Sequence, residues 1–246
     1  MIRLLLAALL FWASAPVVWA QIWIPVPIRA PTPSGTGIGT PFVIISNDIG
    51  PFNSGSASSG TTVAAPAGST IVIVLGPFAN TGVTIVSVVD SAGNTYALSQ
   101  AAAVATVFTI AEAYSVNTTF NLPIGGTFTA VVSDASQWFL GNGYAVSGAA
   151  SGHDISVSIN QTTAGTSASL ASGTLAQALE ILFCTTSLNT GGTFTESAGY
   201  TNLYGAGGAG GRGLGYKKTS VTTTSTYGPS WTGSQKYSAA CASFKN

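Results

Sequence analysis

Ser69–Leu98 reads STIVIVLGPFANTGVTIVSVVDSAGNTYAL, two dense runs of β-branched residues joined to the clearest turn in the chain. Ile71–Leu75, Thr84–Val89 and Thr95–Leu98 carry the side chains that fit a pleated surface. Between the last two, Asp90-Ser91-Ala92-Gly93-Asn94 supplies a turn. Gly93 accepts positive φ without a steric penalty, and Asp90 and Asn94 can hydrogen-bond back to local backbone. Two carboxamide and carboxylate oxygens in one turn also suit Ca²⁺, but the turn accounts for both without a metal.

Outward from this stretch the same style continues. Short β runs alternate with turn-rich gaps from Phe42–Ser46 through Val107–Val116, Asp154–Ile159 and Leu179–Thr186 to Tyr237–Phe244, the pattern of a sandwich or barrel. Gln100–Ala105 and Leu175–Ile181 hold helix-favouring Ala, Leu, Gln and Glu, yet neither is long enough to stand alone as a helix. No short repeat is evident, which disfavours a solenoid. Gly205–Gly213, GAGGAGGRG, lacks the Lys-Ser/Thr pair of a phosphate-binding loop and reads as a mobile hairpin loop.

The N-terminus divides from the rest. Met1-Ile2-Arg3, the apolar Leu4–Trp12 and the exit Val18-Trp19-Ala20 read as a signal peptide over residues 1–20; the apolar run Leu4–Trp12 is too short for a bilayer span, which needs roughly 20 residues, and an uncleaved anchor is the competing reading. Residues 21–41 form a Pro-rich arm. Ile22, Ile24, Val26 and Ile28 alternate there around Pro25 and Pro27, with Trp23 between them, so the arm is at most an edge strand. It either lies along its own domain or adds a strand to a neighbouring copy. Residues 42–246 are read as one β-sandwich domain.

Charge narrows the function classes. Charged residues are 6% of the chain while hydrophobic residues are 46%, against about 25% charged in ordinary globular proteins. Every acid lies between Asp48 and Glu196, and the late part of the chain carries only Arg212, Lys217, Lys218, Lys236 and Lys245. No basic stripe follows a phosphate backbone, so nucleic acid is not an expected partner. A surface of Ser, Thr, Asn and Gln hydrogen-bonds with little repulsion and suits close packing between molecules.

Candidate chemistry is sparse. Cys184 and Cys241 are expected to form a disulfide in an exported protein, two small buried thiols being the other reading. His153 is the single histidine and Asp154, next to it on a strand, points to the opposite face; no G-x-S-x-G elbow accompanies them. Glu112 and Glu180 are the carboxylates that a glycan hydrolase would use if they met in space. Trp138, Phe139, Tyr144, Tyr200, Tyr204, Tyr227 and Trp231 could stack on sugars, although aromatic rings are also the largest contributors to any core. No metal or cofactor is expected.

VVDSAGNTYALS, FTIAEAYSV, YAVSGAA, LEILFCTTS and GPSWTGSQKYSAACASFK, taken in order, resemble a loosely defined group of β-sandwich modules found in exported bacterial proteins and in phage tail or virion-associated proteins. The likeness runs from about Gly60 to Lys245. It implies an all-β, antiparallel, jelly-roll-like sandwich and carries no catalytic motif, while the Pro-rich arm and the Cys pair of this chain depart from the free-standing module. The expectation is therefore a secreted, extracellular or periplasmic structural or adhesive protein without enzymatic activity. Its partners are expected to be other copies of itself or a cell-surface glycan, and it touches a membrane only through the signal segment. A carbohydrate-binding module is the alternative and a carboxylate-dependent hydrolase a weaker one.

Overall fold

The computed structural model describes residues 37–45, 56–76, 85–104, 108–134, 141–149, 152–189, 192–203 and 211–246. The signal segment, the arm residues 21–36, Trp138, Phe139 and Tyr204 lie outside them.

Antiparallel strands make up the fold, and no helix occurs among the described residues. The first eight strands are β1 (Phe42–Ile45), β2 (Ser56–Gly60), β3 (Thr70–Leu75), β4 (Ile85–Asp90), β5 (Ala97–Val104), β6 (Phe108–Ser115), β7 (Thr127–Val132) and β8 (Gly141–Val146). They pair as a five-stranded sheet in the order β1-β8-β3-β6-β5 and a three-stranded sheet in the order β2-β7-β4. The chain thus passes repeatedly from one sheet to the other, as in a jelly roll. Ile44, Ile45, Ile71, Ile73, Leu75, Val88, Phe128 and Val132 fill the space between these two sheets.

The second half repeats this winding. Its strands are β9 (Gly152–Ser167), β10 (Leu170–Ala171), β11 (Glu180–Leu188), β12 (Phe194–Thr195), β13 (Thr201–Asn202), β14 (Arg212–Lys218), β15 (Thr226–Tyr227) and β16 (Ser230–Lys245). The larger sheet runs β9-β16-β11-β14-β13, each strand eight places on from its counterpart in the first half. Opposite it, β10 pairs with β15, and β12 pairs with the start of β16 at Ser230 and Trp231, which stands where the β2-β7-β4 sheet stands in the first half. Even the turn recurs: Ser91-Ala92-Gly93 follows Asp90 with Gly93 at φ 88°, and Ser197-Ala198-Gly199 follows Glu196 with Gly199 at φ 80°.

The two larger sheets pack on each other. Val72, Val74, Tyr144 and Val146 from the first meet Ile181, Phe183, Leu214, Ala242 and Phe244 from the second. Tyr114, opposite Val72, and Tyr216, opposite Phe183, occupy matching places in this middle layer. Arg212 joins the halves directly, donating from an Nη to the Gly76 carbonyl at 2.7 Å. This arrangement explains the opening stretch: β3 is buried along its whole length because Ile71, Ile73 and Leu75 face one core and Val72 and Val74 the other. Strands covered on both faces read as continuous apolar runs rather than as alternation.

Neither helix suggested by composition forms. Ala97–Val104 instead continues a ladder with β6, which satisfies backbone groups that an isolated helical turn would leave open. In the other segment the backbone N–H groups of Ala176 and Gln177 donate to the carboxylates of Asp154 (2.8 Å) and Glu180 (3.0 Å), holding it as a loop before β11.

Candidate functional site

Cys184 and Cys241 stand directly opposite each other on β11 and β16 and form a disulfide, with their Cα atoms 4.1 Å apart. Both face the core of the second half and are buried there. A disulfide of this kind belongs to oxidising surroundings such as the cell exterior or the periplasm. Among the described residues no helix is long and apolar enough to cross a membrane.

The turn after β4 is built around a carboxylate. Asp90 Oδ1 accepts from the backbone N–H of Ala92 and of Asn94, both at 3.0 Å, while Oδ2 accepts from Asn94 Nδ2 and from the Tyr96 hydroxyl, both at 2.9 Å. Asn94 in turn accepts from Phe120 N and donates to Phe120 O, tying the turn to the β6–β7 loop. The Asp90 and Asn94 side-chain oxygens of this turn accept hydrogen bonds within this network. In the second half Glu196 takes the corresponding place, accepting from Ser197 N at 2.8 Å with Tyr227 beside it. Burial pushes the Glu196 acid above its ordinary range, against the hydrogen bond it receives from the Ser197 amide. Gly215 makes room for that carboxylate and Gly213 for the Phe194 ring, which a Cβ at residue 213 would meet at 1.9 Å.

Glu112 and Glu180 do not share a site. Glu112 sits on β6 on the side of Tyr114, in the layer between the halves, and is fully buried. Glu180 opens β11, is also fully buried, and faces the second core. Burial, with Asp154 nearby, pushes its acid up, opposed by the hydrogen bonds of Ser243 and the Gln177 amide. Asp154 lies 3.8 Å from Lys245. His153 turns the other way, as alternation on a strand requires: its ring stacks on Tyr114 at 4.9 Å and meets Phe244 edge-on, with Nε2 against the Ser156 hydroxyl. Burial holds its imidazole below its ordinary pKa.

The rings selected for sugar stacking are, where described, packing residues. Tyr144 lies in the layer between the halves, and Tyr200, Tyr227 and Trp231 in the second core, with exposures of 1, 8, 0 and 5%. Such rings have no open face for a sugar. Tyr200 and Tyr227 meet edge-on at 5.1 Å, and Trp231 donates to the Gly165 carbonyl at 2.9 Å.

What remains outside is rich in hydroxyl groups and carries few charges, Lys217 and Lys218 among them. At matching ends of the two halves lie two shallow grooves. One, of about 180 Å³, is lined by Asn94, Thr95, Asn117, Thr118, Thr119 and Phe120, with Phe120 49% exposed. Its counterpart, of about 260 Å³, is lined by Lys217, Lys218, Thr219, Thr223, Thr224 and Ser225. In it Lys217 Nζ is tied to Ser225 Oγ at 2.9 Å and lies over the Tyr200 ring. A further, uncharged surface is the part of β9 exposed from Asn160 to Ala164. Sequence reasoning missed both Phe120 and the length of β9; the run of uncharged polar residues from Asn160 to Ser167 was the available signal for the latter. No family model, no curated protein and no solved structure matches this chain.

Proposed function

We propose that this is an exported, non-catalytic structural or adhesive protein that works through contacts with other copies of itself. One observation carries the reading: among the described residues Asp90, Glu112, Glu180 and Glu196 and the rings of Tyr144, Tyr200, Tyr227 and Trp231 are spent on packing and turns, while the outer strand β9 offers uncharged amide and hydroxyl groups. A surface with few charges does not repel its own copies. The buried disulfide suits service outside the cell, and the resemblance to sandwich modules of exported and tail proteins points the same way. Electron microscopy of the exported protein tests it: ordered assemblies are expected, and a field of single particles of one chain's size contradicts it.

A second reading has one observation in its favour. Phe120 is the exposed aromatic beside Asn117, Thr118 and Thr119 in the first-half groove, a ring with hydrogen-bonding groups around it. A glycan array binding signal that Phe120→Ala removes would favour a carbohydrate-binding role; equal signals from native and unfolded protein count against it.

A further inference from the structure

We infer that the groove at the end of the second half binds an acidic sugar polymer, with the Lys217 ammonium as the group that takes its carboxylate or sulfate. This goes beyond the self-association reading and does not rest on it.

A comparison of the two halves isolates the lysines. Tyr114 and Tyr216 hold matching places, so Ser115-Val116, where β6 ends, corresponds to Lys217-Lys218, where β14 ends. Each pair lines the groove of its own half. The first half closes this end of the sandwich without charge, so packing does not require two lysines at these positions. In a chain whose charged residues amount to 6%, two adjacent ammonium groups over one groove are a local concentration of charge.

Lys217 is held in place. Its Nζ donates to Ser225 Oγ at 2.9 Å and sits 5.6 Å from the centre of the Tyr200 ring. Ser225 is itself buried; its Oγ accepts from the Tyr200 hydroxyl at 3.4 Å, and its backbone N–H donates to Ser172 Oγ at 2.9 Å. Hydrogen bonds from Leu175 N to the Thr222 carbonyl at 3.0 Å and from Ser172 N to the Ser225 carbonyl at 2.8 Å fix the wall of the groove. A lysine held in this way has already lost much of the side-chain freedom that binding would cost. An ammonium has three N–H donors, and Ser225 takes one of them.

Its charge is not neutralised from within. Among the described residues neither Lys217 nor Lys218 forms an ion pair, and Asp154 faces Lys245 instead, at 3.8 Å. Glu196, on the turn before Tyr200, accepts from the Ser197 amide, and Glu180 from the Gln177 amide. An anion from outside is the partner left for the ammonium.

The rest of the lining selects the kind of anion. The hydroxyls of Thr219, Thr223, Thr224 and Ser225 surround the ammonium, with Val221 53% exposed beside them. Hydroxyl groups exchange hydrogen bonds with a sugar ring, and the valine offers a surface to its C–H face. A phosphate backbone needs a row of cations, and this groove has two. An acidic peptide needs apolar pockets for its anchors, and Val221 is the one apolar side chain in the lining.

Calorimetry of the full exported chain tests the site with an oligogalacturonate, which carries carboxylates, a heparin oligosaccharide, which carries sulfates as well, and a neutral maltooligosaccharide. The native chain is expected to bind an acidic probe at low salt, to bind it less as salt rises, and to ignore the neutral one. Binding of the first probe identifies carboxylate as sufficient, and binding of the second alone identifies sulfate as the group. Lys217→Met, which keeps the stem over Tyr200, should weaken binding roughly tenfold or more, while Lys236→Met, outside the groove, should bind as the native chain does. Acetylation of lysines in the native chain, read by peptide mass, does not depend on any variant folding. It should slow at Lys217 and Lys218 when the bound acidic probe is present and stay unchanged at Lys236. No binding of either acidic probe at low salt, equal binding of the neutral one, unweakened binding by Lys217→Met, or no protection of Lys217 overturns this inference and leaves self-association standing.

Discussion

The Tyr96 hydroxyl donates to Asp90 Oδ2 at 2.9 Å, and with three further hydrogen bonds to the same carboxylate it closes the turn between β4 and β5. Burial first, and then the Asp90 charge, push the Tyr96 phenol far above its ordinary range, so it remains a donor at any pH the protein survives. Asp90→Ala leaves two backbone N–H groups and the Asn94 amide short of an acceptor. A loss of about 1–3 kcal/mol is expected, against about 1 kcal/mol for Tyr96→Phe, measured by urea unfolding.

Phe244 lies between the halves, edge-on to Tyr114 at 5.2 Å and to Phe183 at 6.1 Å. Phe244→Ala should cost about 3–5 kcal/mol. Because the loss falls on the shared layer rather than within either core, calorimetry should show one transition in the native chain and two in the variant. A single transition merely moved to lower temperature would argue that the halves do not unfold separately.

The disulfide links strands already paired along β11 and β16. Replacing both cysteines by alanine removes the cross-link across 57 residues and should cost about 2–4 kcal/mol. By the usual proportion for chains of this size, the melting temperature should fall by roughly 4–16 °C. An unchanged melt would mean that what the bond gains by restricting the unfolded chain is offset in the folded state.

Two buried acids and one imidazole set opposite pH trends. Glu180 and Glu196 have folded pKa values raised above their unfolded ones, so between those values the native state binds more protons and stability falls as pH rises. His153 is lowered, so its contribution is full above the unfolded imidazole pKa and is lost as pH falls through the folded one. Glu196→Gln should therefore raise the melting temperature near pH 7 and have little effect near pH 4. His153→Phe should flatten the decline between pH 7 and pH 5. Melting curves across that range check both.

Much of the fold was legible. The run Ile71–Leu75 and the Asp90–Asn94 turn were read correctly because each rests on local chemistry, β-branching and positive φ at Gly93. The winding of the second half on the first was less so. Its clue, Asp-Ser-Ala-Gly-Asn-Thr at 90–95 against Glu-Ser-Ala-Gly-Tyr-Thr at 196–201, recurs once at long range, and a single distant recurrence does not read as a short repeat. Whether Tyr144, Tyr227 and Trp231 pack in a core or stack on a sugar is open in the sequence, because a ring beside a turn looks the same whether it faces inward or outward. Only a second layer of sheet decides that, and layers depend on contacts far apart in sequence. β9 was expected to end near Ile159 and runs to Ser167, since its outer part is held by pairing with β16 rather than by its own β propensity.

The central claim is that a neutral surface brings copies together. Light scattering on the exported protein, at rising concentration and in low and high salt, tests it most directly. The account predicts a mass that grows beyond one chain with concentration and is nearly indifferent to salt, because so few charges are there to screen. A mass of one chain at every concentration and salt would contradict it.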